Sequence, residues 1–591
     1  YGASKANTNA GHNTSVGYQA LVANTTGASN TAIGSNALLA LNGGTDNTAI
    51  GRRALKDNIA GAYNIAIGNL AMKDYKGDDS NNGGTKNIAI GVSAMEAFQG
   101  GTGDVHANTR FDRNIALGYN SFRGADFNNA EKVVTDNIAI GDEALNSTGA
   151  NGQVGTIAIG SNALTSLTSG ARNTAIGYQS ATVNATGLDG TFLGYQSGLN
   201  VLLNHNTAIG SKTLQKLGTT GGGGAGENNT AIGTFAMSGG DDTVTNNTAK
   251  DCVAVGYASL GGATKGSDGA AFTTHSSTAV GYEALTNLAG GNANLAIGYQ
   301  SSKALTGGAA NITIGHQAML NATSISSAIF IGANAGDAIT TSIDPNGTIG
   351  IGYAALTALT SGQYNTAIGY EAGKSITTGD KNTLYGYQAG GGSNGIDTLS
   401  ENTFIGYNAG LKIDSGSANT AIGSQAMESS AADSDASNNI AIGKKAMYSL
   451  SDGDANISIG NFSGDALTVG GNNVLLGYFA GSSMVEDRQC TALGYLALEN
   501  ANGGGSDGVA TDTNNTAVGA NTGATLTNGV NNVLLGAGAD VSASSAVNQI
   551  VIGKSATGVG NNTAIIGDSN VTDVYMGDNG STWSTTSDGR L

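Results

Sequence analysis

The sequence predicts an all-β chain folded as a parallel β-solenoid, or β-roll, of about thirty short rungs. Three observations predict it. Residues 30–34 read Asn-Thr-Ala-Ile-Gly, and near-copies recur at 47–51, at 64–68 and onward almost to the C-terminus. Most copies lie roughly 17 residues apart from glycine to glycine, which is one coil of a stacked array. Where the spacing lengthens, the added residues always enter at the same point of the rung, as insertions into a solenoid do.

Each rung opens on a strand. The residue after the motif Asn is Thr, Ile or Val (Thr31, Ile65, Val474), and the residue before the glycine is nearly always Ile, Leu or Val. This alternation predicts a short strand with Thr and Ile on one face and Ala on the other. Both faces are apolar enough to call for cover, and the small Ala face suits close approach of another chain or another wall of the coil. The glycine, as at Gly34, Gly51 and Gly68, ends the strand where positive φ or close backbone approach is needed. An apolar pair follows, Ala54-Leu55 or Ala71-Met72, and predicts a second short wall. About eight polar residues then return the chain to the next Asn. The Asn slot suits a turn, because Asn tolerates the left-handed region and bonds locally. Stacked, Asn30, Asn47, Asn64, Asn87, Asn114 and Asn137 are expected to form an internal amide ladder.

The long spacings fall at 73–86, 96–113, 123–136, 212–228, 238–251, 260–276 and 499–514. Their Gly- and Asp-rich contents predict hydrated surface loops rather than domains. Tyrosine follows the motif glycine in many rungs, among them Tyr178, Tyr257, Tyr282, Tyr353 and Tyr370. Two readings stand for it: a sugar-stacking stripe, or a structural ladder with rings packed on neighbouring rungs. Thirty rungs at the strand spacing give a rod on the order of 140 Å long. A coil this narrow has little interior, so several chains wound about one axis, as a homotrimer, are expected to cover the Ala face. The shaft is expected over 1–567, with a C-terminal cap and junction over 568–591.

Composition excludes several classes. Glycine is abundant (95) but proline nearly absent (1), which fits neither collagen nor disorder. A formal charge of −18 argues against nucleic acid, which calls for a basic stripe. No apolar run is long enough for a membrane helix. Cys252 and Cys490 each occupy an Asn slot. About thirteen rungs, on the order of 60 Å, would separate them, far beyond the ~7 Å limit for a disulfide. They are expected to be structural thiols. No metal or cofactor is expected, since the Asp-rich loops lack regular ligand spacing. Tyr1 is not an initiator methionine and residues 13–17 already form a motif, so the start reads as a cut edge.

The motif, as in residues 173–177 and 439–443, resembles the Ala-Ile-Gly repeats of trimeric autotransporter adhesin heads. The resemblance implies left-handed parallel β-rolls wound as trimers, although the period here is longer than theirs. Repeats of this longer kind are also similar to those of phage tail-fibre proteins. The resemblance spans roughly residues 13–567. Near the end, residues 562–567 carry one extra apolar residue, which reads as a bulge or cap. Residues 583–591 then read Trp-Ser-Thr-Thr-Ser-Asp-Gly-Arg-Leu, similar to the junction that introduces an endosialidase-type intramolecular chaperone. That family implies a Ser-Asp-x-Arg-x-Lys start and self-cleavage with Ser as nucleophile and Lys as its base. Ser587, Asp588 and Arg590 match, but the sequence stops before the lysine position, so no catalysis is assigned. Ser-Asp-Gly as an ordinary turn is the alternative.

The leading expectation is an extracellular structural fibre for host or surface attachment, a trimeric tail-fibre-like shaft on a virion. Its partners would be copies of itself and a cell-surface glycan or protein receptor. A bacterial cell-surface trimeric adhesin is the runner-up. A polysaccharide-degrading solenoid enzyme would need carboxylates paired across a groove. The acidic residues instead cluster in the insertions, and the five His (His12, His106, His205, His275, His316) are scattered. Ice binding would need a flat Thr array, and Ile replaces Thr in several rungs.

Overall fold

The computed structural model describes residues 2–6, 8–75, 84–98, 110–124, 133–148, 152–202, 204–216, 226–239, 248–261, 273–340, 346–392, 398–429, 434–503, 511–575 and 582–584. Among them there is no helix, and every regular element is a strand of two or three residues. The chain divides into two compact units, Tyr1–Ala309 and Ala310–Leu591. Each is a parallel β-solenoid with fifteen motif strands, and the two together make about 28 turns. In the first unit Thr14–Val16, Thr31–Ile33 and Thr48–Ile50 pair so that Ala32 lies between Ser15 and Ala49. In the second the same parallel ladder runs from Ile312–Ile314 to Ala564–Ile566. Insertions do not disturb the register: Ile88 pairs with Ile115 across the 96–113 insertion.

The middle residue of each motif strand points into the coil. Ala32, Ala49 and Ala66 are fully buried together with the pairs Ala37-Leu38, Ala54-Leu55 and Ala71-Met72. The Ala face is therefore filled by the coil's own interior and needs no second chain against it. Cover is missing on the other face. Ile33 is 38% exposed and Ile90 41% exposed, and Thr31 and Thr48 are half-buried beside them.

The expected second wall forms without being a strand. Leu38, Leu55 and Met72 lie at φ near +50°, outside the extended region, so they do not alternate away from the alanine before them. Each left-handed residue costs about 1–2 kcal/mol. Burying a leucine side chain returns about 1.5–3 kcal/mol, and each amide bonds the next turn, as Leu38 N–H does to the Ala54 carbonyl at 3.0 Å. The turn before the strand also differs from expectation. The left-handed residue is the one preceding the Asn (Ser29, Asp46, Tyr63), while Asn30, Asn47 and Asn64 keep negative φ. The Asn is selected for its side chain, not for its backbone.

Turns with a large inward strand residue compensate for it within the turn. Where the inward strand position holds Phe192, Phe330 or Phe404 instead of Ala, the Leu slot six residues later holds Gly198, Gly336 or Gly410. A Cβ on Gly410 would sit 2.3 Å from the Phe404 ring, and one on Gly198 would sit 2.2 Å from Phe192. Leu384 with Gly390 and Leu475 with Gly481 repeat the exchange. The consensus-restoring change Gly410→Leu is therefore expected to destabilise the second unit by at least about 3 kcal/mol through overpacking. Phe404→Ala is expected to cost about 3–5 kcal/mol through a cavity. The double variant should recover most of both losses, because it rebuilds the common Ala/Leu rung. A denaturation double-mutant cycle showing simple additivity would contradict the compensation.

Insertion roots share one corner. In the first unit the residues flanking three insertions, Arg110–Asp112, Val133–Thr135 and Gln153–Val154, form a small parallel sheet. The widened coil beneath is filled by Tyr75, Phe98, Phe111 and Phe122, with ring centroids 5.0–5.6 Å apart along the chain of contacts. At the C-terminus no bulge forms. Ala564–Ile566 pairs in straight register with Ile550–Ile552, and Thr563 moves into the Asn slot, its carbonyl accepting the Ile550 N–H. Asp573–Tyr575 and Thr582–Ser584 then make an antiparallel hairpin outside the ladder.

Candidate functional site

Three surfaces run through each unit: the interior amide ladder, the outward strand face with its tyrosine column, and the corner of insertions. The ladder residues are all buried. The Asn47 backbone N–H and side-chain Nδ2 both donate to Asn30 Oδ1, each at 3.0 Å, and Nδ2 also donates to the Gly61 carbonyl at 2.8 Å. Asn64 repeats this on Asn47, Asn87 on Asn64, Asn114 on Asn87 and Asn137 on Asn114. One side chain thus satisfies a buried amide and a buried carbonyl that the strand pairing leaves over. Gly34, Gly51 and Gly68 stack beside the ladder at φ between +134° and +140°. A Cβ on any of them would lie 2.3–2.4 Å from the carbonyl oxygen of the next motif glycine.

The ladder has natural substitutions. Cys252 and Cys490 keep the backbone bond to the preceding Asn, at 3.1 and 2.9 Å. Ser277 goes further, its hydroxyl accepting the Asn294 N–H at 3.2 Å. Both cysteines are free and buried. Cys490 Sγ lies 2.9 Å from Thr513 Oγ1, and burial pushes its pKa up to about 11. An ordinary thiol ionises near pH 8.5. Between about pH 8.5 and 11 the folded chain keeps a proton that the unfolded chain releases, so Cys490 is expected to lower stability as pH rises through that window. Iodoacetamide at about pH 8.5 should modify Cys490 in urea and leave it untouched in the native chain. Equal rates in the two states would contradict its burial in the ladder.

The tyrosines stack on one another. In the first unit Tyr257, Tyr282 and Tyr299 follow at centroid distances of 5.1 and 5.4 Å with interplanar angles of 13° and 11°. In the second, Tyr353, Tyr370, Tyr387 and Tyr407 follow at 5.1, 5.2 and 5.3 Å. Ring faces are turned to their neighbours along the column, which leaves edges and hydroxyls outward rather than open platforms for sugars. Beside the columns, Gln300 donates to Glu283 and Gln388 to Glu371, both at 2.8 Å. These columns were legible as a repeated Gly-Tyr step, but their stacking follows only from the in-register ladder.

No catalytic constellation assembles among the described residues. Ser587, Asp588 and Arg590 lie outside them, as does His106. His12 and His316 are exposed on separate turns, and His205 lies 3.6 Å from Asp189, which already pairs with Arg172 at 2.6 Å. Among the described residues no group of three or more His, Cys, Asp or Glu is placed to hold a metal ion, and no helix is long and apolar enough to cross a membrane. Burial and the neighbouring Asp435 raise the pKa of Asp452. No protein-family model matches the chain, and no curated protein matches it in sequence.

Proposed function

We propose that the chain is the shaft of an extracellular homotrimeric fibre that attaches to a cell-surface glycan or protein receptor, in the manner of a tail fibre. The observation that carries this reading is the uncovered outer strand face. In each unit fifteen strands turn Thr, Ile, Val or Leu outward. At the strand spacing this is a stripe about 70 Å long. With a width of about 10 Å its area approaches ~700 Å², above the few hundred Å² of apolar patch usual on a monomer. It is also close to the ~800 Å² each partner gives to a stable interface. Copies of the same chain supply a matching face at the same rung spacing, and three copies enclose it about one axis.

Receptor specificity belongs to the insertions, because the ladder is the same rung after rung while the insertions differ in length and sequence. Binding of the whole protein to a glycan array or to host cells tests this. Shortening residues 76–83 and 262–272, with their flanking buried residues kept, is expected to abolish or redirect binding while the trimer persists. Binding that survives unchanged in the shortened protein would count against those loops.

A further inference from the structure

We propose that the tyrosine columns are oxidative cross-linking sites, at which a one-electron oxidant joins neighbouring turns of one chain through dityrosine bonds. The column Tyr353, Tyr370, Tyr387 and Tyr407 carries the argument furthest. Its rings are held at 5.1–5.3 Å with interplanar angles of 5–15°, so successive ring edges lie side by side along the solenoid. All four rings are between 42% and 52% exposed, open to an oxidant in solution. The competing oxidisable groups are withdrawn. Every described methionine (Met72, Met95, Met237, Met319, Met427, Met447 and Met484) and both cysteines are buried. The described sulfur groups are thus out of reach, while the column tyrosines are open to solvent. Within the column a radical has a neighbour of the same kind at fixed distance, whereas an isolated residue such as Tyr364 stands in no such stack.

The chemistry balances with hydrogen peroxide acting through a haem peroxidase. Each of two phenols gives up one electron and its hydroxyl proton. The two radicals couple through ring carbons ortho to oxygen, forming one C–C bond. The two ortho hydrogens then move to the oxygens as the rings regain aromaticity. The two electrons and two protons reduce one peroxide to two waters. Burial and then the adjacent Glu371 carboxylate raise the pKa of Tyr370, while the adjacent Glu283 and then burial raise that of Tyr282, so both phenols carry their protons until they are oxidised. The product is a covalent rivet between turns otherwise held by hydrogen bonds and packing. It requires the ladder but not the attachment function.

The test treats the whole protein with peroxidase and hydrogen peroxide, measures dityrosine fluorescence, and maps linked peptides by mass spectrometry. Expected are the pairs Tyr353–Tyr370, Tyr370–Tyr387 and Tyr387–Tyr407, each lighter by two hydrogens, in protein that still migrates at single-chain mass under denaturing conditions. Tyr370→Phe removes two of these three pairs and, since each ring couples once, should lower the greatest yield from this column by about half, leaving Tyr387–Tyr407. Tyr364→Phe should leave the yield unchanged, and urea-unfolded protein should lose the preference for these pairs. Links found only between chains, or dityrosine that involves Tyr364 as often as the column, would overturn the proposal.

Discussion

Gly51→Ala is expected to break the first unit locally, at a cost above about 4 kcal/mol. Two independent strains meet at this one methyl group. Gly51 sits at φ +135°, a region that L side chains rarely adopt. Its Cβ would also lie 2.3 Å from the Gly68 carbonyl oxygen and 2.6 Å from the carbonyl carbon. Neither atom belongs to a flexible side chain, so the clash is relieved only by moving the next turn. That movement breaks the Gly68 N–H bond to the Ile50 carbonyl, now 2.8 Å. Because each turn of a solenoid contacts only its neighbours, the damage should stay within a few turns. Hydrogen exchange should show loss of protection centred on residues 34–68, with distant turns unaffected. Unchanged protection there would refute the stacked-glycine account.

Asn47→Ala is expected to cost about 3–5 kcal/mol, the penalty for leaving several buried polar groups without partners. The change removes the acceptor for the Asn64 N–H and one acceptor of the Asn64 side chain, at 3.0 and 3.1 Å, and the donor to the Gly61 carbonyl. Asn47→Ser should be milder, since a serine hydroxyl in this slot accepts the next amide at Ser277. Asn47→Asp should be at least as harmful as alanine, because it keeps the acceptor but places a charge in a fully buried slot. Chemical denaturation of the three variants reads the order directly. Alanine and serine variants of equal stability would show that the side-chain bonds contribute little.

The rung and the strand were legible because a strand has a two-residue period and the chain repeats it with the same residues each time. The inward face of Ala32 and the hydrogen-bonding capacity of Asn47 follow from residue type. The Leu38 turn was not legible, because a non-glycine residue at positive φ runs against local preference and is held by bonds to the next turn. For the same reason the left-handed position was assigned to Asn30 when it belongs to Ser29. The exchange of Phe404 for Ala and Gly410 for Leu stands in the sequence in plain view. It becomes readable only when two slots six residues apart are compared rung by rung. The outer face was expected to be covered, and a single chain leaves it open. Ser587 lies outside the described residues, so the self-cleavage motif rests on its sequence alone.

The central claim is that the exposed Thr and Ile stripe is where copies of the chain meet. Native mass measurement of the purified protein, with sedimentation velocity on the same sample, tests it most directly. Three chains per particle are predicted, with charge substitutions along the stripe, Ile33→Lys with Ile50→Lys and Ile67→Lys, weakening the assembly while each chain keeps its β-sheet signal. A monomer that stays soluble and folded at micromolar concentration, with that stripe bare, would contradict the account.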